Sequence, residues 1–313
     1  MDRNSYDVAV IGGGMAGLGA ASTLARARRS VLVIDDRNPR NAPAAAVHTY
    51  PGAEGLPPSE LLARARDDVA RYGGRFATGT VVTTERSDNG FRLGLLDGSS
   101  VLADRLLVAT GLVDQLPDLP GLAERWGTDV LHCPYCHGWE VADRPIAVLG
   151  TGPMAVHQAL LWRQWSADVT LLRHDAPKPT AEERDELDTR GITVVDERVT
   201  GLRVESDRLS GVSLADGQIV PCQALVVLPR FAARAGFLAG LGLEPEPQER
   251  DGYLLGTALR VDEFGATDVP GVWAIGNVAV PFANVIASAS AGVQTGALIN
   301  MDLVRRDVRQ AAA

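Results

Sequence analysis

The sequence predicts an α/β protein with parallel sheets, built as one domain inserted into another, and three observations point to it. A strand, a Gly-rich turn and a helix open the chain over residues 6–29. The same succession returns over residues 146–165. A short apolar strand ending in Gly then recurs near the C-terminus, at residues 272–276.

The opening strand, residues 6–11, is a continuous apolar run of the kind buried on both faces of a parallel sheet. Gly12-x-Gly14-x-x-Gly17 follows it, then an Ala-rich helix to about Arg29, then a strand over 31–34 that ends on Asp35. In that setting the first Gly permits a tight turn and the second lets backbone N–H groups approach a pyrophosphate. The third lets helix and strand pack closely. The positive end of the helix dipole faces the phosphates, and Asp35 is placed to accept hydrogen bonds from an adenosine ribose. A dinucleotide site is expected here, ahead of a chance Gly-rich turn.

The second unit repeats the pattern with a strand over 146–150, the turn Gly150-Thr-Gly152-Pro-Met-Ala155, a helix to about Trp165 and a strand over 169–172. Pro- and Gly-rich stretches mark the crossings. Thr110-Gly111 closes the apolar run 105–109, and Leu116-Pro-Asp-Leu-Pro-Gly121 is rich in turn residues. A return crossing is expected between 228 and 242, and a small-residue helix from about Val285 to Val304. The expected organisation is a discontinuous domain, 1–113 with 240–313, and an inserted domain, 114–239.

Composition bounds the function. The 313 residues are 46% hydrophobic and 22% charged, as in an ordinary soluble globular protein. A net charge of −9 argues against nucleic acid or an anionic membrane as a standing partner. Apolar runs are broken well before the ~20 residues of a membrane span, and no leader pattern opens the chain, so a cytoplasmic protein is expected.

Only three cysteines occur, two of them as Cys133-Pro-Tyr-Cys136. Two intervening residues let one helical turn bring the sulfurs together, with the helix N-terminus lowering the thiolate pKa and Pro134 suiting the first turn. His132 and His137 flank the pair and titrate near neutral pH. A zinc site lacks two further ligands at suitable spacing, and inert core thiols are the other alternative. Cys222, alone, is read as a small buried side chain without a role.

Two downstream segments favour FAD over NAD as the dinucleotide. The stretch 106–111 resembles the Ala-Thr-Gly motif of two-dinucleotide-domain flavoproteins. The stretch 271–277 resembles their second FAD motif, with Gly276-Asn277 where Gly-Asp is usual. Asn277 keeps the capacity to hydrogen-bond a ribityl hydroxyl. N-terminal amides of the helix starting near Asn284-Val285 are placed to stabilise negative charge on a reduced flavin.

With these motifs in order, the chain resembles the low-molecular-weight thioredoxin reductases over nearly its whole length. The resemblance implies a two-dinucleotide-binding-domain flavoprotein, with a discontinuous FAD domain, an inserted NAD(P)-binding-like domain and assembly as a homodimer. It also implies cofactor contacts at Met15, Ala16, Arg40, Asn41, His48, Val82, Thr110 and Gly111, beside those already named. Two departures matter. The reductases carry Cys-x-x-Cys-Asp, whereas His137 occupies that place here. Their basic run for the NADPH 2′-phosphate is replaced by Arg173-His174-Asp175, followed by Lys178 and Pro179; the first two with Lys178 form at most a partial substitute.

The stretch Cys-Pro-Tyr-Cys-His-Gly-Trp-Glu, with the degraded pyridine-nucleotide segment, is similar to the dithiol oxidases of disulfide natural products, of the holomycin and gliotoxin type. That resemblance implies a small-molecule dithiol as substrate. Its thiolate attacks Cys133, Cys136 faces the flavin, His137 or His132 manages protons, and O2 is the terminal acceptor, giving H2O2. An NAD(P)H-dependent disulfide reductase is the alternative enzyme, and a flavin-bearing redox sensor the alternative of another class. Tyr135, Trp139 and Phe282 are candidate walls of a substrate pocket.

Overall fold

The computed structural model describes residues 5–312 and divides the chain into two compact units. The first takes the chain up to Val113, then Phe231–Gln248, and resumes at Gly256. The second comprises Asp114–Arg230 and Glu249–Leu255.

The first unit opens with β1 (Ser5–Ile11), α1 (Met15–Arg26) and β2 (Val31–Asp35), then α2 (Pro58–Arg71), β3 (Arg75–Thr78), β4 (Val81–Ser87), β5 (Gly90–Leu95), β6 (Ser100–Val108) and β7 (Leu112–Gln115). Its main sheet runs β3-β2-β1-β6-β5-β4. Strands β1, β2 and β3 are parallel to β6, while β5 and β4 return antiparallel. The alternation of β1 sorts its side chains between two cores. Val8 and Val10 pack with Leu18, Leu24 and Ile299, whereas Ala9 and Ile11 pack with Leu106, Phe91 and Leu238. Helix α1 ends at Arg26, short of Arg29, because Arg28 turns left-handed at φ +64° and Arg29 N–H reaches back to Leu24 O.

The second unit contains β8 (Val130–Leu131), α3 (Pro134–His137), β9 (Ile146–Leu149), α4 (Ala155–Trp162), β10 (Val169–Leu172), α5 (Ala181–Thr189) and β11 (Thr193–Val195). Strands β12 (Val199–Glu205), β13 (Arg208–Leu214), β14 (Ile219–Pro221) and β15 (Ala224–Val227) follow. A parallel sheet in the order β11-β10-β9-β15-β8 sits with a three-stranded antiparallel sheet, β12-β13-β14. All four residues of β9 and of β15 are buried, which is why both read as unbroken apolar runs. Helix α4 stops at Trp162, and the chain tightens through Trp165 by three-residue turns.

At the chain crossings lie β16 (Arg230–Ala233), β17 (Glu246–Arg250) and β18 (Tyr253–Ala258), before β19 (Val272–Ala274) and α6 (Val285–Ala311). The return to the first unit falls at Phe231, earlier than the expected residue 240. The reason is packing: Leu238 and Ala235 are buried in the first unit's core, and Thr84 Oγ1 donates to Phe237 O at 2.8 Å. Strand β19 extends the sheet along β6. Helix α6 runs past the expected Val304, since Arg29 pairs with Asp307 at 2.8 Å and Arg306 with Asp104. Among the described residues no helix is long and apolar enough to cross a membrane.

Candidate active site

In the first unit the Gly-rich turn is drawn tight by backbone contacts. Gly12 has φ +106°, its N–H donates to Ile34 O at 2.8 Å, and a Cβ there would lie 2.3 Å from Ala109 O. A Cβ on Gly17 would meet Gly12 O at 2.0 Å, so helix and turn can approach only without it. Gly14 caps α1 in an extended conformation with nothing within 4 Å of a would-be Cβ. The turn is thus crowded on its protein side and open at Gly14, as a backbone cradle for a pyrophosphate must be. These residues fit the dinucleotide.

Asp35 takes a part in holding that cradle. Its Oδ1 accepts from Gly13 N–H at 3.0 Å, and its Oδ2 lies 3.2 Å from Arg66 Nη1. Arg66, whose guanidinium also covers the Phe76 ring at 4.3 Å, was not anticipated. Its place in α2 carries no sequence signal of an ion pair with β2. Val82 follows Gly79, whose N–H donates to Asp35 O at 3.1 Å, so the chain entering β4 leaves from the end of β2. Thr110 Oγ1 donates to Arg234 O at 2.6 Å, and Gly111 O, at φ +70°, accepts from Arg234 N–H.

The residues expected near the ends of α1 and α6 are brought together. A Cβ on Gly276 would touch Ala16 Cβ at 3.0 Å. Met15 and Val285 pack against Val47, Ala53 and Leu61, so the loop carrying His48 rests on the first turns of both helices. Within it His48 Nδ1 lies 2.6 Å from Glu54 Oε1, and Glu54 Oε2 accepts from Thr49 N–H at 2.9 Å. The His48 hydrogen bond holds the Glu54 carboxyl below the usual carboxylate range. Asn41 O accepts from Ala44 N–H at 3.1 Å, in a turn of the same loop.

Asn277, expected to hydrogen-bond a ribityl hydroxyl, donates its side-chain amide to the loop ahead of α6. Nδ2 donates to Ala283 O at 2.8 Å and Pro281 O at 3.0 Å, with Val280 O at 3.3 Å, while Oδ1 accepts from Arg40 Nη1 at 3.2 Å. The Arg40 guanidinium sits 5.2 Å from the Phe231 ring centre, and Phe231 meets Phe282 edge-on. Asn284 caps α6, its Oδ1 accepting from Ala287 N–H at 2.9 Å.

In the second unit the Sγ atoms of Cys133 and Cys136 lie 2.6 Å apart, both residues half-buried. Cys133 is the N-cap of α3, Pro134 its first residue, and His137 its last. The helix is a single turn of four residues, and the N–H groups of Cys136 and His137 both donate to Cys133 O at 3.2 Å. A helix of one turn carries only a small dipole. His132 follows β8 and His137 adjoins Cys136, each half-buried. Among the described residues no cluster of three His, Cys, Asp or Glu is arranged for a metal ion. Cys222 is buried, and burial, with Asp129 nearby, pushes its thiol up to about 12.

The segment expected to form a partial 2′-phosphate cradle is turned to other uses. Arg173 Nε donates to Asp196 Oδ1 at 2.6 Å, and Asp175 pairs with Arg198. His174 is only 6% exposed, its Nδ1 accepts from Val199 N–H at 3.2 Å, its Nε2 lies 3.1 Å from Asp175 Oδ2, and burial lowers its pKa. Lys178 is exposed. The neighbouring turn keeps its geometry, Gly150 N–H donating to Leu172 O at 2.7 Å, beside a small cleft lined by Thr151, Gly152, Met154 and Gln158 among others.

Residues 6–296 match the family described as pyridine nucleotide-disulphide oxidoreductase. The chain is 31% identical to thioredoxin reductase tcpT of Claviceps purpurea, covering 96% of this chain and 95% of that protein. It is 30% identical to thioredoxin reductase sirT of Leptosphaeria maculans, with 97% and 96% covered. Among solved structures, that of HlmI superposes with a TM-score of 0.91 at 45% identity, covering 98% of this chain and 95% of the other. An oxidoreductase from Agrobacterium tumefaciens superposes at 0.89 with 32% identity, covering 96% and 99%.

Proposed function

We propose that this chain, which belongs to the pyridine nucleotide-disulphide oxidoreductase family and is a flavin-dependent disulfide oxidoreductase, works as an FAD-dependent dithiol oxidase. The observation that carries the reading is the segment at Arg173, His174 and Asp175, in which Arg173 is paired with Asp196, Asp175 with Arg198 and His174 is buried, while the Cys133–Cys136 turn is intact. The resemblance of Cys-Pro-Tyr-Cys-His to the disulfide-forming oxidases, and the likeness to HlmI, support the same direction.

In the oxidised enzyme a small-molecule dithiol, as thiolate, attacks Cys133 Sγ, and Cys136 leaves as thiolate. The substrate's second thiolate then attacks its own mixed-disulfide sulfur, releasing Cys133 and closing the product disulfide. His137, next to Cys136 in the chain, takes the proton from the substrate thiol, and His132 is the second candidate for that work. Gly12, Gly14 and Gly17 would hold the FAD pyrophosphate, with Asp35 at the adenosine end. Bound FAD supplies a two-electron acceptor that O2 reoxidises, so the balance is one dithiol and one O2 consumed for one disulfide and one H2O2.

Anaerobic mixing of the holoenzyme with excess dithiothreitol is expected to bleach the flavin absorbance, and admitting air to restore it with stoichiometric H2O2. Bleaching by NADPH with indifference to the dithiol would instead establish a reductase. Cys136→Ser is expected to abolish dithiol-driven bleaching while retaining the flavin.

A further inference from the structure

The dithiol turn is braced by an aromatic side chain outside its motif. Tyr135, between the two cysteines, is 61% exposed, yet its ring meets Trp165 edge-on, with centroids 5.6 Å apart at 86°. Gly138, whose N–H closes the turn onto Pro134 O at 2.7 Å, presses on the same indole: a Cβ there would lie 2.7 Å from Trp165 Nε1. Trp165 is itself fixed. Its N–H donates to Trp162 O and its carbonyl accepts from Asp143 N–H, both at 2.9 Å. Its ring packs 6.1 Å from that of the fully buried Trp162. The indole thus contacts the turn on either side of Cys136, at Tyr135 and at Gly138.

We propose that Trp165 is a positioning residue for the Cys133–Cys136 pair, holding the turn so that the sulfurs stay within bonding reach and thereby setting how readily the pair is oxidised. This rests on the reading that the pair is redox-active. A single helical turn has no stability of its own, because nucleation costs more than one turn of hydrogen bonds returns. Without an external brace the turn opens, the sulfurs separate, and the effective concentration of one thiol at the other falls. Disulfide closure depends on that concentration in direct proportion. The exchange is balanced: two protein thiols and one glutathione disulfide give one protein disulfide and two glutathione thiols.

The test equilibrates the holoenzyme anaerobically in glutathione buffers of graded ratio, traps thiols by alkylation, and counts labelled Cys133 and Cys136 by peptide mass. Trp165→Leu is expected to shift the equilibrium about ten-fold toward the dithiol, which is about 30 mV for this two-electron couple. Trp165→Phe, which keeps a ring under the turn, is expected to stay within about two-fold of the parent, a shift under about 10 mV. A parent-like midpoint for a folded Trp165→Leu overturns the proposal, as does failure of Trp165→Phe to restore it. Should Trp165→Leu not fold, Tyr135→Leu decides, because that side chain is exposed: a shift toward the dithiol supports the brace and an unchanged midpoint overturns it. A parent that forms no Cys133–Cys136 disulfide at any ratio defeats the redox reading itself, a result distinct from an unmoved midpoint in the variants.

Discussion

At position 277 one atom separates an amide that donates to three carbonyl oxygens from a carboxylate that would repel them. Arg40 would attract the carboxylate, but a partly exposed pair of that kind is worth at most about 1 kcal/mol. Leaving carbonyls at 281 and 283 without their donor costs about 1–3 kcal/mol. Asn277→Asp is therefore expected to lower the urea midpoint of the first unit, although it restores the common Gly-Asp pair. His174 gives a second prediction with a definite sign. Burial lowers its folded pKa below the unfolded 6.5, so the unfolded chain binds the proton first as pH falls. The stability it supports is complete above pH 6.5 and is lost as pH drops toward the folded pKa. Urea titrations at pH 8 and pH 5.5 should show a larger loss for the parent than for His174→Gln. Asn277 stood out in the sequence as a departure and His174 as part of a partial phosphate cradle, but what each contacts did not. The partners of Asn277 lie in an irregular loop, and the burial of His174 depends on β12, far along the chain.

The pair α1 and α6 makes the corresponding argument for elements. A Cβ on Gly292 would lie 2.1 Å from Ala16 O and 3.0 Å from Ala20 N, both backbone atoms that cannot swing aside. Gly292→Ala must push the helices apart, at a cost of about 1–3 kcal/mol or more. Because α1 begins at the Gly-rich turn, flavin retention should fall with stability, read as the ratio of flavin to protein absorbance. Gly14→Ala separates the two effects: with nothing within 4 Å of its Cβ, it should leave the melting temperature of the apoprotein near the parent's and still impair FAD binding. Strands, glycine turns and helix starts were legible because buried strands are short apolar runs and the glycines sit where backbone must meet backbone. Helix ends were not. Apolar periodicity fades after Leu303, while α6 continues to Ala311 on ion pairs with Arg29 and Asp104, partners that only the tertiary fold supplies. The loop carrying His48 and Glu54 has no periodicity at all, so the hydrogen bond between them had no sequence signature.

For the whole molecule the decisive feature is that each unit has hydrophobic cores of its own. The cores around Phe91 and Leu18 belong to the first, and those around Trp162 and Leu122 to the second. The insertion was readable from the repeated strand–Gly–helix pattern, but its return point was not. The chain from Phe231 carries no break in pattern there, and its allegiance is set by how Ala235 and Leu238 fill the first core. Separate cores make two unfolding transitions the expectation for the apoprotein, since each unit buries its own apolar surface. A ligand that binds one folded unit raises that transition by mass action, about 2.7 kcal/mol at a hundred-fold excess over its Kd. Calorimetry should then show FAD raising one transition of the apoprotein. NADPH, which meets Arg173 already bound to Asp196 and His174 buried, should leave both transitions in place. A transition raised by NADPH would show that the second unit binds the nucleotide despite those pairings, and would return the direction of electron flow to that of a reductase.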